Sequence, residues 1–509
     1  TSLSMITTSD DSRLQSVSIS TGLLIVSGNF SMSTPIQNSF SITSSGVLKI
    51  GDTFSPVSSI NIASASTVEY NGTINQTIPA ITGGYGSLIF SGTSVKSLQS
   101  AINMKTDITV NNGSELNDAG FTISGVSGLF TINNGAIYST NRIASPWFPV
   151  NLTPDLKTGS VVKYNGVGNF TLPAIPVVYG TIQMNGTGNH TLSSSITINK
   201  DLIINSGVLL DGGFQINGNS TGLLSIASGA GLTLGSTTVG TAFPTNFTSA
   251  NITLASGSTV TYYSKASQNV SNVPTYSNLT LSSASAPSVT KTAIGNFSVL
   301  QTFTIGSNNI FDDGGFTVSC LGALTINGGH SGIGKISMEG TLSPQYLNGT
   351  GYCNNFTVNK TAGSVSLNSN FTINGNIIVS SGTFTLNSRI LTTNGNIDVN
   401  SGSTFTVNGN AVLKVANGKV ITNGGHCNFI GTASTIALIT INGSGAFSYV
   451  QNSGTATLSA RYYEFRYCNL TISSGSISSG SNNLSNGTFS NGSGDCYINF
   501  DGFSSNVTP

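Results

Sequence analysis

The sequence predicts an all-β protein, a parallel β-helix or β-solenoid of about twenty coils. Three observations predict this fold. A phrase that begins with tyrosine recurs five times, and short apolar runs ending in Asn-Gly or Ser-Gly return every ~20 to 23 residues. Only 17 Lys plus Arg and 17 Asp plus Glu occur among 509 residues. A parallel β-solenoid needs few charges because backbone amides pair between stacked coils.

The tyrosine phrase shows that the chain is a tandem array. Its leading tyrosines lie 94, 97, 76 and 115 residues apart. The five copies are YGSLIFSG at 85–92, YGTIQMNG at 179–186, YSNLTLSS at 276–283, YCNNFTVN at 352–359 and YCNLTISS at 467–474. Self-similarity at such spacing is typical of repeat architectures and not of a mosaic of unrelated domains.

The phrase belongs to a longer unit of roughly 95 residues. In the first copy, TVEYNG at 67–72 and the Pro-containing QTIPA at 76–80 precede the phrase, and LNDAGF at 116–121 follows it. The second and third copies keep this order. The predicted divisions are an N-terminal strand segment with the first coils at 1–66, and super-repeats at 67–160, 161–257, 258–335, 336–435 (degenerate) and 436–509 (partial, with the C-terminal segment).

Within each unit, runs of four to six Val, Ile, Thr, Phe and Tyr residues closed by Gly and Asn predict strands and turns. Successive members at 67, 87, 108 and 130 are expected to occupy successive coils. Disorder is disfavoured because the net charge is zero and 25 Phe and 15 Tyr lie in alternating runs. An outer-membrane β-barrel is disfavoured because it needs antiparallel strands of about ten residues.

Composition argues against nucleic-acid and membrane partners, and the open ends of a solenoid favour contact with further strands. Seventeen Lys plus Arg spread over 509 residues form no basic stripe for nucleic acid, and no apolar run approaches the length of a membrane helix. Open solenoid ends expose unpaired strand groups. We expect either a segment of a longer surface protein or copies that join end to end, or by strand exchange, into a filament.

The cysteines leave two alternatives open. Cys320, Cys353, Cys427, Cys468 and Cys496 all lie in the second half, and none forms a close C-x-x-C pair. Zinc or iron–sulfur binding therefore has no local support, and no metal or other cofactor is expected. The five residues are either disulfide partners with one thiol left over, or buried thiols in the coil ladders.

Histidine and aspartate give weak signals for chemistry. His330 and His426 share the phrase NGGH one super-repeat apart, about 20 Å along the stack, which is too far to share a metal. Asp118, Asp211 and Asp313 stand before Gly-Phe or Ala-Gly-Phe and are predicted to form turns. The alternative, in which Asp312 and Asp313 are a glycosidase acid pair, lacks the surrounding basic cluster.

Aromatic residues on two inserted loops are candidates for contact. Trp147 and Phe148 lie in SPWFPV at 145–150, and Phe243 and Phe247 lie in the corresponding AFPTNF at 242–247. An exposed, Pro-flanked aromatic pair could stack on a sugar or pack against another copy of the chain. The alternative is that each loop folds back over the solenoid, as buried aromatic residues do in cores.

The segments TVEYNG, QTIPA, YGSLIFSG and LNDAGF resemble the repeats of large secreted and cell-surface adhesin-like proteins of Bacteroidetes-type bacteria. The resemblance covers roughly 50 to 480. It implies a β-solenoid fold, export by a type IX-like route, and service as an adhesin stalk or surface filament.

The expected function is structural. The sequence favours a non-enzymatic extracellular protein at the cell surface, a rod that acts as filament subunit or adhesin shaft. Its expected partners are copies of itself, with glycans or the cell surface as further partners. The alternative is a carbohydrate-binding or carbohydrate-cleaving β-helix, which a cluster of Asp, Arg and Lys on one face would favour.

Overall fold

The fold is a parallel β-solenoid of about 22 turns, as the sequence predicts. It is seen in a computed structural model that describes residues 3–5, 16–32, 39–56, 60–173, 178–284, 288–477, 484–490 and 498–500. Every strand-to-strand pairing between these strands is parallel. The alternating apolar runs therefore form the strands that their pattern predicts.

The strands are mostly three to five residues long, and those up to residue 254 are Leu3–Met5, Ser16–Ile19, Leu23–Val26, Phe30–Met32, Ser39–Ile42, Val47–Ile50, Phe54–Ser55, Ile60–Ile62, Thr67–Tyr70, Gln76–Ile78, Ser87–Phe90, Val95–Leu98, Ile102–Met104, Ile108–Val110, Glu115–Asn117, Ile123–Gly125, Leu129–Ile132, Ile137–Thr140, Thr153–Leu156, Val161–Tyr164, Phe170–Thr171, Thr181–Met184, Asn189–Thr191, Ile196–Thr197, Leu202–Ile204, Val208–Leu210, Ile216–Asn217, Leu224–Ile226, Gly231–Leu234 and Ile252–Leu254. A turn of 3-10 helix spans Ser249–Asn251.

The later strands are longer on average, and they are Thr259–Tyr263, Gln268–Val270, Tyr276–Ser282, Val289–Ala293, Phe297–Ile305, Asn309–Asp312, Thr317–Cys320, Ala323–Ile326, Gly329–Ser331, Lys335–Gly340, Gln345–Asn348, Tyr352–Cys353, Phe356–Leu367, Phe371–Ile373, Ile377–Thr385, Ile390–Thr393, Ile397–Val399, Thr404–Asn408, Val412–Ala416, Val420–Asn423, His426–Ile430, Ala437–Asn442, Phe447–Gln451, Thr457–Arg461, Tyr463–Arg466, Cys468–Ile472, Ser476–Ile477, Thr488–Ser490 and Ile498–Phe500.

The chain divides into two compact units. The first comprises Thr1–Thr233 and Phe243–Ala255, and the second comprises Leu234–Ala242 and Ser256–Pro509. In both units strands pair with strands one coil away in the chain, so most contacts join residues about 20 apart.

In the first unit the core is a set of ladders of like residues. Val68 pairs in register with Leu88, and Leu88 pairs with Ile108. All three side chains are fully buried. A complete coil has three strands in three different ladders, for example Ser87–Phe90, Val95–Leu98 and Ile102–Met104. Inward positions are apolar and outward positions polar, which is the alternation that the sequence shows.

Successive super-repeats in the first unit lie on successive faces. Four coils of 20, 20, 22 and 24 residues carry one ladder from Val68 to Pro154. Val162, which is equivalent to Val68 in the next copy, lies eight residues further along and belongs to the neighbouring ladder. Each of these super-repeats therefore contains four and one-third coils. Equivalent residues of successive super-repeats are shifted by one face of the coil.

Pairs of buried tyrosines explain the repeated phrases. The hydroxyl of Tyr70, from TVEYNG, lies 3.1 Å from the hydroxyl of Tyr85, from YGSLIFSG, and Tyr85 donates to the carbonyl of Pro79 at 2.7 Å. The same hydroxyl pairing joins Tyr164 to Tyr179 and Tyr262 to Tyr276, each at 3.0 Å. A buried hydroxyl must be hydrogen-bonded, so the three segments of the repeat depend on one another.

Candidate functional site

The predicted turn aspartates form buried corners. Asp118 accepts hydrogen bonds at Oδ1 from the backbone N–H groups of Gly120 at 2.8 Å and of Asn141, in the next coil, at 3.1 Å. Asp211 accepts from the N–H of Gly213 at 2.8 Å. The structural interpretation of these residues is confirmed: each carboxylate closes its own turn, and that of Asp118 also holds the coil above.

The first and third super-repeats complete this corner with different side chains. The hydroxyl of Tyr138 lies 3.0 Å from Oδ2 of Asp118, and Nε2 of His330 lies 3.0 Å from Oδ2 of Asp313. Tyr138 is in register with the residue two positions before Asp118, and His330 is in register with the residue two positions before Asp313. The two donors therefore occupy equivalent positions.

A thiol from the fourth copy completes a three-residue chain at the Asp313 corner. The Sγ atom of Cys353 lies 3.0 Å from Nδ1 of His330, and all three side chains are fully buried. The backbone N–H of Asn354 donates to Nδ1 at 3.1 Å, so Nδ1 carries no proton and Nε2–H donates to Asp313. This tautomer directs the basic nitrogen of the imidazole at the thiol.

The electrostatics of this site keep Asp313 ionised and Cys353 protonated. Burial opposes ionisation of Asp313, but the hydrogen bonds from His330 and from the N–H groups of Gly315 and Gly334 outweigh it and lower the pKa of the carboxyl group. Burial, with smaller contributions from nearby Cys320 and Asp313, raises the pKa of the Cys353 thiol. The resting nucleophile is therefore a neutral thiol.

This arrangement is neither a glycosidase acid pair nor a metal site. Asp312 is only half-buried and accepts the N–H of Gly314, whereas both oxygens of the Asp313 carboxylate are hydrogen-bonded within the corner. The two carboxylates do not form the opposed acids of a glycosidase. Within the described part of the chain, no group of three His, Cys, Asp or Glu side chains could hold a metal ion.

The other two histidines have separate environments. Nδ1 of His426 lies 2.6 Å from the hydroxyl of Thr457. His190 is fully buried and stacks on Phe170, with ring centroids 4.2 Å apart. Neither ring nitrogen of His190 has a hydrogen-bond partner of normal geometry among the described residues. Burial lowers the pKa of His190, and a contact with the backbone of Thr187 offsets this in part.

The aromatic loop residues are buried. Trp147 packs against Phe170 and Tyr164, with centroid distances of 4.7 and 5.9 Å, and Phe148 packs against Tyr138 at 5.6 Å. Trp147, Phe148, Phe243 and Phe247 expose at most 9% of their surface. The hypothesis of an aromatic contact surface is therefore wrong for these four residues. The alternative, in which the inserted loops fold back over the solenoid, describes them.

Four of the five cysteines are buried thiols. Cys320, Cys353, Cys427 and Cys468 are buried and are not joined in disulfides. The disulfide alternative is wrong for these four residues, and the alternative of buried thiols on the strands of the coils describes them. Cys496 lies outside the described residues.

Three buried lysines form a feature that sequence reasoning missed. Nζ of Lys291 donates to the carbonyls of Ser264 and Ala266 at 2.9 and 3.1 Å, and to Oε1 of Gln268 at 2.6 Å. Burial lowers the pKa of Lys291 to about 8. Lysine is almost never fully buried unless its charge is paired, and here three oxygens surround the ammonium group in place of a carboxylate.

A glutamine accompanies each of these lysines. Nε2 of Gln268 donates to the carbonyls of Leu234 and Thr241 at 3.0 and 3.1 Å. Gln268 and Lys291 together therefore connect three successive coils by hydrogen bonds. The corresponding pairs are Gln76 with Lys96, in register with each other, and Gln345 with Lys360, where Nζ lies 2.8 Å from Oε1. In the first two pairs the sequence signal is a Gln near the Pro-containing segment, followed by a Lys one coil later. In the third pair the Lys follows after 15 residues.

Replacing Lys291 with methionine tests this tie. We expect Lys291→Met to lower the free energy of unfolding of the second unit by about 2 to 4 kcal/mol, because two carbonyls and a glutamine oxygen lose their donor. Lys265→Met is the control, since Lys265 is exposed. Urea unfolding followed by circular dichroism measures both variants. Equal or greater stability of Lys291→Met would show that desolvation of the ammonium outweighs its hydrogen bonds.

Comparison with known proteins gives no further guidance to this site. No family model, no curated protein and no solved structure matches the chain. Among the described residues, no helix is long and apolar enough to cross a membrane.

Proposed function

We propose that this chain is a structural protein of the cell surface, a β-solenoid rod that serves as filament subunit or adhesin shaft and has no enzymatic turnover. The observation that carries the proposal is the bonding of the buried charged and amide side chains. Buried aspartates, lysines and glutamines bind the backbone of neighbouring coils. Groups committed in this way stiffen the stack.

The surface chemistry suits a spacer. The net charge is zero and charged residues are 7% of the chain, so copies do not repel one another at long range. Short strands, parallel pairing and closed corners leave few places for a protease to engage extended backbone. Extracellular placement is proposed from the resemblance of the repeats to those of surface adhesins, and self-association from the spacer function.

The carbohydrate-binding alternative has one observation in its favour. A shallow groove of about 430 Å³ in the second unit is lined by Asp398, Asn400, Ser401, Thr422 and Ser453, among others. Hydroxyl and amide groups of this kind bind sugars. Hydrolysis would need a second acid opposite Asp398. The structural proposal accounts for more of the geometry that is repeated from coil to coil, so we prefer it.

Electron microscopy of the purified chain over a range of concentrations tests the proposal. Filaments of regular width that lengthen with concentration would support a self-assembling subunit. Isolated rods of about 100 Å, the length of 22 coils at ~4.8 Å each, would support a shaft segment. Globular or flexible particles at every concentration would contradict the proposal, because a spacer must be elongated and stiff.

A further inference from the structure

The corner around Asp313 contains an imidazole and a thiol that the equivalent corner of the first super-repeat lacks. In the first super-repeat a hydroxyl, that of Tyr138, completes the equivalent corner of Asp118. In the third super-repeat an imidazole takes this position and adds a second ring nitrogen, Nδ1, which accepts the N–H of Asn354 at 3.1 Å and has no counterpart in the Asp118 corner. That nitrogen faces the thiol of Cys353 at 3.0 Å.

Cys353 is itself a departure from the repeat. It follows the leading tyrosine of its phrase, where the first three copies have Gly86, Gly180 and Ser277. The His and the Cys come from two consecutive coils and meet only because the coils stack. A nucleophile within hydrogen-bond reach of a base, with the base oriented by a third group, is the arrangement that activates cysteine for covalent chemistry.

We propose that Asp313, His330 and Cys353 form a closed acyl-acceptor site, in which Cys353 Sγ takes an acyl group from an activated ester or thioester. The proposal is independent of the rod function, since it concerns stoichiometric loading of one thiol. It assigns a covalent attachment point to the second unit.

The step balances without a further reagent. Sγ attacks the acyl carbon while Nδ1 of His330 takes the thiol proton, which requires the N–H of Asn354 to leave Nδ1, and the bond from the acyl carbon to the leaving alcohol or thiol breaks. The imidazolium, held at Nε2 by Asp313, returns that proton to the leaving group. The products are a Cys353 thioester and a free alcohol or thiol.

The segment Ser331–Gly334 lies beside the site and is the means of access. Ile333 is 90% exposed, so its side chain does little to hold the segment down. The segment is held by polar contacts instead: Asn354 Nδ2 donates to the carbonyl of Gly332, Asn355 Nδ2 donates to that of Gly334 at 2.9 Å, and the N–H of Gly334 donates to Asp313 at 2.8 Å.

A groove adjoins this segment. Its volume is about 300 Å³, and Ile333, Gly334, Lys335 and Asn355 are among its lining residues. A small acyl group bound there would lie next to the covering segment, and a displacement of Ser331–Gly334 would bring it to Cys353. The site therefore suits a small, uncharged acyl donor.

Acetylation of the full chain by p-nitrophenyl acetate, with the modified cysteines identified by peptide mass mapping, tests the proposal. The chain provides matched reference thiols. Cys468 follows the leading tyrosine of the fifth copy as Cys353 follows that of the fourth, and Cys427 is equally buried. We expect Cys353 to be acetylated at least about tenfold faster than either. Equal rates at the three thiols in the unaltered chain would overturn the proposal.

Two variants separate the base from the structural donor. His330→Tyr restores the donor found at the Asp118 corner and removes the base, so we expect the Cys353 rate to fall to that of Cys468. A Cys353 rate unchanged in this variant would overturn the role of His330. Asn355→Ala releases one contact of the Ser331–Gly334 segment and should accelerate acetylation of Cys353 only. No acceleration at Cys353 would overturn the assigned route of access.

Discussion

Asp118→Ala is expected to lower the free energy of unfolding of the first unit by about 3 to 5 kcal/mol. The carboxylate accepts the N–H groups of Gly120 and Asn141 and lies 3.0 Å from the hydroxyl of Tyr138. Alanine removes the acceptor of the Gly120 and Asn141 N–H groups, leaves the buried Tyr138 hydroxyl only the carbonyl of Trp147, and opens a contact between two coils. Because coils are stabilised mainly by their neighbours, the loss also weakens the coils on either side.

Trp147 reports on this unfolding directly. It is the only tryptophan in the chain, and its backbone carbonyl lies 3.1 Å from the hydroxyl of Tyr138. Urea unfolding followed by tryptophan fluorescence therefore measures the stability of the region around the mutated corner. Asp155→Ala is the control, because Asp155 pairs with Lys157 at the surface and such pairs contribute less than about 1 kcal/mol.

A smaller loss in Asp118→Ala, within about 1 kcal/mol of the control, would contradict the interpretation of the buried corners as coil-to-coil ties. Asp118→Asn adds a further comparison. It keeps one acceptor oxygen for the backbone N–H groups but replaces the other with an amide that cannot accept from Tyr138. Its stability should lie between those of the native chain and the alanine variant.

The sequence predicts the coils well because their pattern is local. Alternation in TVEYNG and SLIFSG, closed by Gly and Asn, determines which side chains face inward, and the spacing of 20 residues determines that Val68 pairs with Leu88. The turn role of Asp118 is predicted for the same reason. Both depend only on residues within one coil or on the length of the coil.

The site is predicted less well because it depends on which face each residue occupies. His330 and Cys353 are 23 residues apart, and nothing in either phrase shows that one coil of stacking brings them into contact. Gln268 and Lys291 present the same difficulty. The super-repeat is not a whole number of coils, so the distance between copies gives no direct guide to the position of a side chain around the coil.

The aromatic loop illustrates the opposite error. Pro residues beside Trp147 suggest an exposed turn, whereas the ring fills a gap beside Phe170 and Tyr164. The insertion lengthens one coil to 24 residues, and the additional apolar surface is used inside the unit. Burial of a large aromatic ring is worth several kcal/mol at ~25 cal/mol per Å², which outweighs the preference of the flanking residues for an exposed turn.

His190→Phe is expected to stabilise the first unit by about 1 to 2 kcal/mol at pH 7. His190 is fully buried, its ring nitrogens have no hydrogen-bond partner of normal geometry among the described residues, and its ring already stacks on Phe170 at 4.2 Å. Phenylalanine keeps the stacked ring and removes two buried polar atoms whose one backbone contact, with Thr187, lacks normal hydrogen-bond geometry. His426→Asn is the control for loss of a histidine, since that imidazole contacts the hydroxyl of Thr457.

The same variant should change the response of the first unit to acid. Burial lowers the pKa of His190 below its ordinary value of 6.5, so well above pH 6.5 the imidazole is neutral in both the folded and the unfolded state. As the pH falls through 6.5 the unfolded state binds a proton more readily than the folded state does, and the free energy of unfolding of the first unit falls. His190→Phe removes this loss, and the stability difference between variant and native chain should widen from pH 7 to pH 5. A constant difference, measured by Trp147 fluorescence in urea at each pH, would mean that the folded state accommodates the imidazolium.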